Sequence, residues 1–141
     1  MNLDKIMSIS LSNIDLEGGN VMHALKKSDF GFAGFEEAYF SWIKKDFIKA
    51  WKRHNKMTMN LVVPLGNVRF IFASDDNSQF KTIIIGSQNY SRINVPPGIW
   101  FGFQGIDEPK SLILNLANIE HDPNEMDRLD INEIKYDWSK K

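Results

Sequence analysis

Residues 59–86 read MNLVVPLGNVRFIFASDDNSQFKTIIIG. The stretch holds three runs, MNLVV, VRFIF and KTIIIG, rich in the β-branched and aromatic residues that suit a pleated, half-buried surface. Turn signals separate them at Pro64 to Asn67 and at Ser74 to Ser78, with Asp75-Asp76-Asn77-Ser78 as a hairpin tip. The same alternation of run and turn continues in both directions. Upstream lie AYFSWI and FIKAW, preceded by turns at Gly18-Gly19-Asn20, Gly31 and Gly34. Downstream lie SRINV, IWFGF and SLILNLANI, divided by Pro96-Pro97-Gly98 and by Asp107 to Pro109. About eight strands at this spacing predict an all-β sandwich or barrel. His23 to Ser28 is expected to form one helical turn, and no internal repeat of 20–50 residues is visible.

The chain has 141 residues, a length that predicts one domain over residues 1–141. Hydrophobic residues make up 43% and charged residues 25%, which excludes a disordered or collagen-like chain. Seventeen Lys and Arg against eighteen Asp and Glu leave a net charge of -1, so no global basic field favours nucleic acid. The absence of cysteine excludes disulfides, thiolate zinc sites and a Cys nucleophile. No apolar run approaches the roughly 18 residues of a membrane span, and the first twenty residues carry Asp4, Asp15 and Glu17. A cytoplasmic protein without a membrane partner is expected. Residues 120–141 hold many acids without the regular spacing of a calcium loop, and are read as an exposed tail wrapped on the body. Tyr136 and Trp138 are expected to dock that tail.

Three features could carry chemistry. His54 ends the run Lys49-Ala50-Trp51-Lys52-Arg53-His54. On a strand, Lys52 and His54 share one face and Trp51 and Arg53 the other. A cation beside an imidazole favours its neutral, basic form, although a surface histidine in a basic loop would look the same. Six cations lie between Lys44 and Lys56, which is either a solvated face or a diphosphate site. No Gly-rich phosphate loop is present. Glu37, Tyr39 and Ser41 alternate on one strand face. They form either a ligand wall or a solvent-facing stripe, in which case Phe40 and Trp42 would face the core. His23 and His121 are read as ordinary.

Read in order, FEEAYFSWI, KAWKRH, LVVPLGNVRFIF, NYSRINVPPGIWFGF, LILNLANIEHDPNE and IKYDW resemble the cupin family of dTDP-4-dehydrorhamnose 3,5-epimerases and dTDP-4-keto-6-deoxyhexose 3,4-ketoisomerases. The resemblance runs from about Gly19 to Trp138, and Val-Pro-Pro-Gly-x-x-x-Gly-Phe is its most specific part. It implies a jelly-roll β-barrel with the ligand pocket inside. It also implies a homodimer, a nucleotide-diphospho-sugar substrate, no cofactor, and a place in bacterial surface-polysaccharide biosynthesis. The implied chemistry is removal of a proton beside a C4 ketone by a base, and return of a proton by a donor.

Residue by residue, the resemblance is incomplete. Lys52 stands where the epimerases carry their basic histidine, and His54 stands where the ketoisomerases carry the second of two histidines. Asn115 replaces the epimerase tyrosine, and Phe101 replaces a barrel histidine. The resemblance leaves His54 as base, Tyr39 as hydroxyl donor and Lys52 as enolate stabiliser or alternative base. It implies substrate contacts from Glu37, Ser41, Lys49, Asn60, Trp100 and Asn115, with Lys49 on the diphosphate and Trp100 or Trp51 on the base. One matching histidine cannot assemble the three-His-plus-carboxylate site of metal cupins, so no catalytic metal is expected. Two other readings compete: a barrel that has lost catalysis and binds a nucleotide sugar or assists a partner enzyme, and a metal-dependent cupin.

Overall fold

A computed structural model describes residues 2–139. Its strands are, in chain order, β1 (Met7–Ser10), β2 (Asn13–Ile14), β3 (Val21–Met22), β4 (Glu37–Lys44), β5 (Ile48–His54) and β6 (Met59–Leu65). They continue with β7 (Asn67–Ala73), β8 (Phe80–Gly86), β9 (Ser91–Val95), β10 (Trp100–Gly105), β11 (Lys110–Ala117) and β12 (Met126–Arg128). Short 3-10 turns cover Asn2–Lys5, Pro123–Glu125 and Ile131–Glu133. Two antiparallel five-stranded sheets, ordered β1-β9-β6-β11-β4 and β12-β5-β10-β7-β8, face each other as a jelly-roll barrel. β2 and β3 form a separate two-stranded ribbon. No helix among the described residues is long and apolar enough to cross a membrane. The helical turn expected at His23 to Ser28 is absent. His23 is pinned where Tyr90 Oη donates to its carbonyl and its N–H donates to the Ser12 carbonyl. The residues up to Lys26 are irregular, and Lys27 and Ser28 form a non-helical turn closed by the Asp29 N–H donating to the Lys26 carbonyl.

The inward faces follow the period of two. Met59, Leu61 and Val63 of β6 meet Phe70 and Phe72 of β7, with Ile93, Ile113 and Phe101 from their neighbours. Fully burying side chains of this size contributes about 1.5–3 kcal/mol each. On β4 the same alternation points Tyr39 and Ile43 inward and leaves Phe40 and Trp42 on the outside, 62% and 45% exposed. The polar stripe therefore faces the barrel, and the aromatics beside it do not face the core.

A second apolar cluster lies outside the β5-β10-β7 sheet. There Trp51, Ile71 and Ala73 are covered by Ile134, Tyr136 and Trp138 of the C-terminal segment. A bulge makes this possible: Phe101 pairs with Lys52 but Gly102 with Ala50, leaving Trp51 as the extra residue on β5. Trp51 points outward and its Nε1 donates to the Ile131 carbonyl at 3.1 Å. Lys52 and His54 keep the inward phase. A side chain at Gly102 would meet the Ala50 Cβ at 2.6 Å and the Trp138 ring at 3.1 Å, so this position must stay small for the tail to seat.

Candidate active site

The C-terminal segment is also where the site begins. Asp122 caps the 3-10 turn Pro123–Glu125 through the Asn124 amide, and the turn delivers Glu125 into the barrel mouth. There β12 pairs with the edge of β5, placing Met126 opposite His54 and Arg128 opposite Lys52. His54 is 4% exposed and Glu125 3%. The His54 Nδ1 is hydrogen-bonded to Glu125 Oε1. The second carboxylate oxygen accepts the backbone N–H groups of Asn55, Lys56 and Met57, at 3.0, 3.0 and 3.3 Å.

Burial works against charge on both partners, but they respond differently. Burial lowers the His54 pKa below its usual 6.5, despite the opposing pull of Glu125. Burial also raises the Glu125 pKa, but the bonds from His54 and from the Lys56 and Met57 amides outweigh it and hold the carboxyl below its usual 4.5. The pair at neutral pH is thus a neutral imidazole and a carboxylate. Nδ1 carries the proton toward Glu125, which leaves Nε2 with a free lone pair. The ring stacks on Phe101 at 6.1 Å between centroids, so its position is fixed from a second side.

Tyr39 lies on β4 directly opposite Asn115 of β11. Asn115 Nδ2 donates to the Tyr39 oxygen at 2.9 Å, which leaves the phenolic proton available for another acceptor. Burial raises the Tyr39 pKa, with only partial relief from Asn115, so the group stays protonated. Asn115 Oδ1 is buried without a hydrogen-bond partner. Lys52 is driven the other way: burial and the nearby Arg128 and Lys49 lower its pKa.

Two depressions share Lys52 in their lining. The smaller, about 250 Å³, is lined by Glu37, Tyr39, Lys52, His54, His121 and Met126. The larger, about 750 Å³, runs between the barrel mouth and the C-terminal segment past Ser41, Lys49, Lys52, Phe101 and Arg128. Lys52 and Arg128 sit side by side on neighbouring strands, an arrangement that repels unless an anion lies between them. Among the described residues no three His, Cys, Asp or Glu side chains are grouped to hold a metal ion.

Of the residues expected to form a site, the structure brings together Glu37, Tyr39, Ser41, Lys49, Lys52, His54 and Asn115. Two expectations fail. Asn60 lies on the opposite face of β6 from Met59 and Leu61, where its amide donates to the Gly31 carbonyl and its oxygen accepts from Arg92 and Asn94. Trp100 lies on the outer face of β10 with Arg53 stacked 4.7 Å over its ring. Trp51, the alternative stacking residue, is sealed under the tail. Three residues were not anticipated from sequence: Glu125 behind His54, and Arg128 and His121 in the lining of the two depressions. Asp122 before Pro123 was a cap signal for the turn that carries Glu125, but irregular acid spacing makes the whole stretch read as solvated tail.

No protein-family model matches the chain. Over 114 residues it is 32% identical to the probable low-salt glycan biosynthesis epimerase Agl13 of Haloferax volcanii, spanning 74% of this chain and 73% of that protein. Its fold superposes on a dTDP sugar isomerase from Desulfovibrio desulfuricans with a TM-score of 0.88 and 30% identity, over 95% of this chain and 90% of the other. The 3,4-ketoisomerase QdtA of Thermoanaerobacterium thermosaccharolyticum, bound to TDP, gives a TM-score of 0.76 at 19% identity, over 92% and 93% of the two chains, a likeness of fold.

Proposed function

Because the chain belongs to the cupin-fold family of nucleotide-sugar epimerases and ketoisomerases, we propose that it acts on a nucleoside-diphosphate 4-keto-6-deoxy sugar by moving a proton beside the ketone. The observation that carries this reading is the buried His54–Glu125 pair sharing one depression with the Tyr39 hydroxyl. His54 Nε2 removes the α-proton, and Glu125 steadies the imidazolium that forms. Lys52, made a stronger acid by burial and by its cationic neighbours, donates to the enolate oxygen. Tyr39 returns a proton from its own side. Keto–enol chemistry of this kind needs no cofactor.

The diphosphate lies in the larger cleft, where Lys49, Lys52 and Arg128 supply three cations to a lining that also holds Asp130 and Glu133. Asn115 Oδ1, buried and unpartnered, accepts a sugar hydroxyl. Glu37 and Ser41 complete the wall. The pathway is surface-polysaccharide sugar synthesis in the cytoplasm. The working unit is a homodimer, supported by the apolar outer face that Phe40 and Trp42 form with Leu112 and Leu114 opposite them.

The test is proton NMR in D₂O with a panel of nucleotide-linked 4-keto-6-deoxyhexoses. Loss of the C3 signal with a shifted ketone identifies a ketoisomerase, and loss at C5 or at both carbons an epimerase. Binding of every panel member without exchange would instead favour the non-catalytic reading, for which Lys52, Phe101 and Asn115 at three expected catalytic positions already speak.

A further inference from the structure

Transfer from one side and return from the other has a consequence for the pocket. If His54 takes a proton from the sugar and Tyr39 gives one back, each turnover ends with His54 protonated and Tyr39 ionised. The next turnover requires a proton to leave the first and one to reach the second. The route behind His54 is closed: Nδ1 is held by Glu125, whose other oxygen already accepts three backbone N–H groups. Phe101 covers a ring face. The way out is forward, into the depression that His54 and Tyr39 share.

Among the residues lining that depression, His121 is the exposed one. It is also held in place. Its backbone N–H donates to Glu37 Oε1 at 2.8 Å, and the preceding Glu120 N–H donates to Glu36 Oε1 at 3.0 Å. The same short segment continues through the Asp122 cap to Glu125. One short stretch of chain therefore sets Glu125 behind His54 and His121 at the opening. His121 is close enough to contribute to the electrostatics at His54. Imidazole, which can accept a proton on one nitrogen and release it from the other, is the side chain suited to relaying protons near neutral pH.

We propose that His121 is the proton relay that resets this pocket between turnovers, carrying the proton from His54 to bulk water and allowing Tyr39 to be reprotonated. The balance closes. The carbon-bound proton leaves as H⁺ on His54 Nε2, passes to the His121 imidazole and then to water, while water or His121 protonates the Tyr39 phenolate. No net proton is consumed. The inference rests on the base-and-donor reading above and adds to it a group that touches neither reacting carbon.

The test separates the first turnover from those that follow. His121→Gln and His121→Asn are mixed, in dilute buffer, with whichever nucleotide 4-keto sugar the wild-type protein converts, and product is followed by rapid quench. The relay predicts a first turnover at the wild-type rate, then a steady state slowed at least about tenfold. Added imidazole should restore the steady state in proportion to its concentration in both variants. A wild-type steady state in the variants would overturn the relay, as would a slowed first turnover that imidazole does not rescue. Absence of exchange in the wild-type protein would instead remove the base-and-donor reading beneath it.

Discussion

Glu125 shows how much one side chain can organise. Its carboxylate orients His54, fixes which nitrogen is free, and satisfies three backbone donors where the chain turns out of β5. Removing it altogether would leave those donors unpaired, at about 1–3 kcal/mol for each, so Glu125→Ala should lower stability and activity together. Glu125→Gln keeps the shape and loses the charge. It is expected to reduce proton exchange by about 10²-fold or more while nucleotide binding persists, read by deuterium incorporation and by calorimetric titration. The pH dependence follows from the same pair. The neutral His54 base is lost only as pH falls through its depressed pKa, so the acid limb of the rate profile should lie below the 6.5 of an ordinary histidine. Stability behaves in parallel. With a folded pKa below the unfolded one, His54 contributes stability that is fully present above 6.5 and is lost as pH falls toward the folded value. Glu125 adds a second loss below 4.5 by the same sign. Denaturant midpoints measured between pH 8 and 4 should fall in that order.

At the scale of elements, the C-terminal segment is part of the candidate active site. β12, the turn that precedes it and the aromatic cover over Trp51 form one strap, with Leu129 and Trp51 exchanging backbone hydrogen bonds at its centre. Ile134, 1% exposed, anchors it. Ile134→Ala should cost about 2–5 kcal/mol in denaturant unfolding and should lower exchange activity beyond that loss, because Glu125 and Arg128 enter the site from the same strap. The long strands were readable from sequence because each holds a run of β-branched, aromatic or other apolar residues bounded by turn signals. β2 and β3, two residues each, and β12, three residues, carry too little pattern to be seen. The strap was misread for an electrostatic reason. Most of its acids are solvated, and nothing in their spacing separates Glu125, buried against His54, from its neighbours. The inward phase of Lys52 and His54 was legible, although the bulge at Trp51 that maintains it was not. Asn60 was misassigned because alternation fixes that neighbours point to opposite faces but not which face encloses the ligand.

For the whole molecule, the two faces of the β11-β4 sheet divide the work. The inner face carries Tyr39 and Asn115 toward the pocket. The outer face shows Phe40, Trp42 and their partners on β11, an apolar patch at a sheet edge that isolated chains rarely leave in water. Sedimentation at micromolar concentration is expected to find a dimer, and Phe40→Glu combined with Trp42→Glu a monomer. A wild-type monomer under those conditions would contradict the assignment of that face. Each scale converges on the claim that His54, held by Glu125, is the base. The most direct measurement is deuterium incorporation from D₂O into a nucleotide 4-keto-6-deoxy sugar, comparing the wild-type protein with His54→Gln. Incorporation beside the ketone is expected in the wild type, with a fall of about 10²–10⁴-fold in the variant and nucleotide binding retained. Equal incorporation by the two proteins would contradict the assignment of His54 as base.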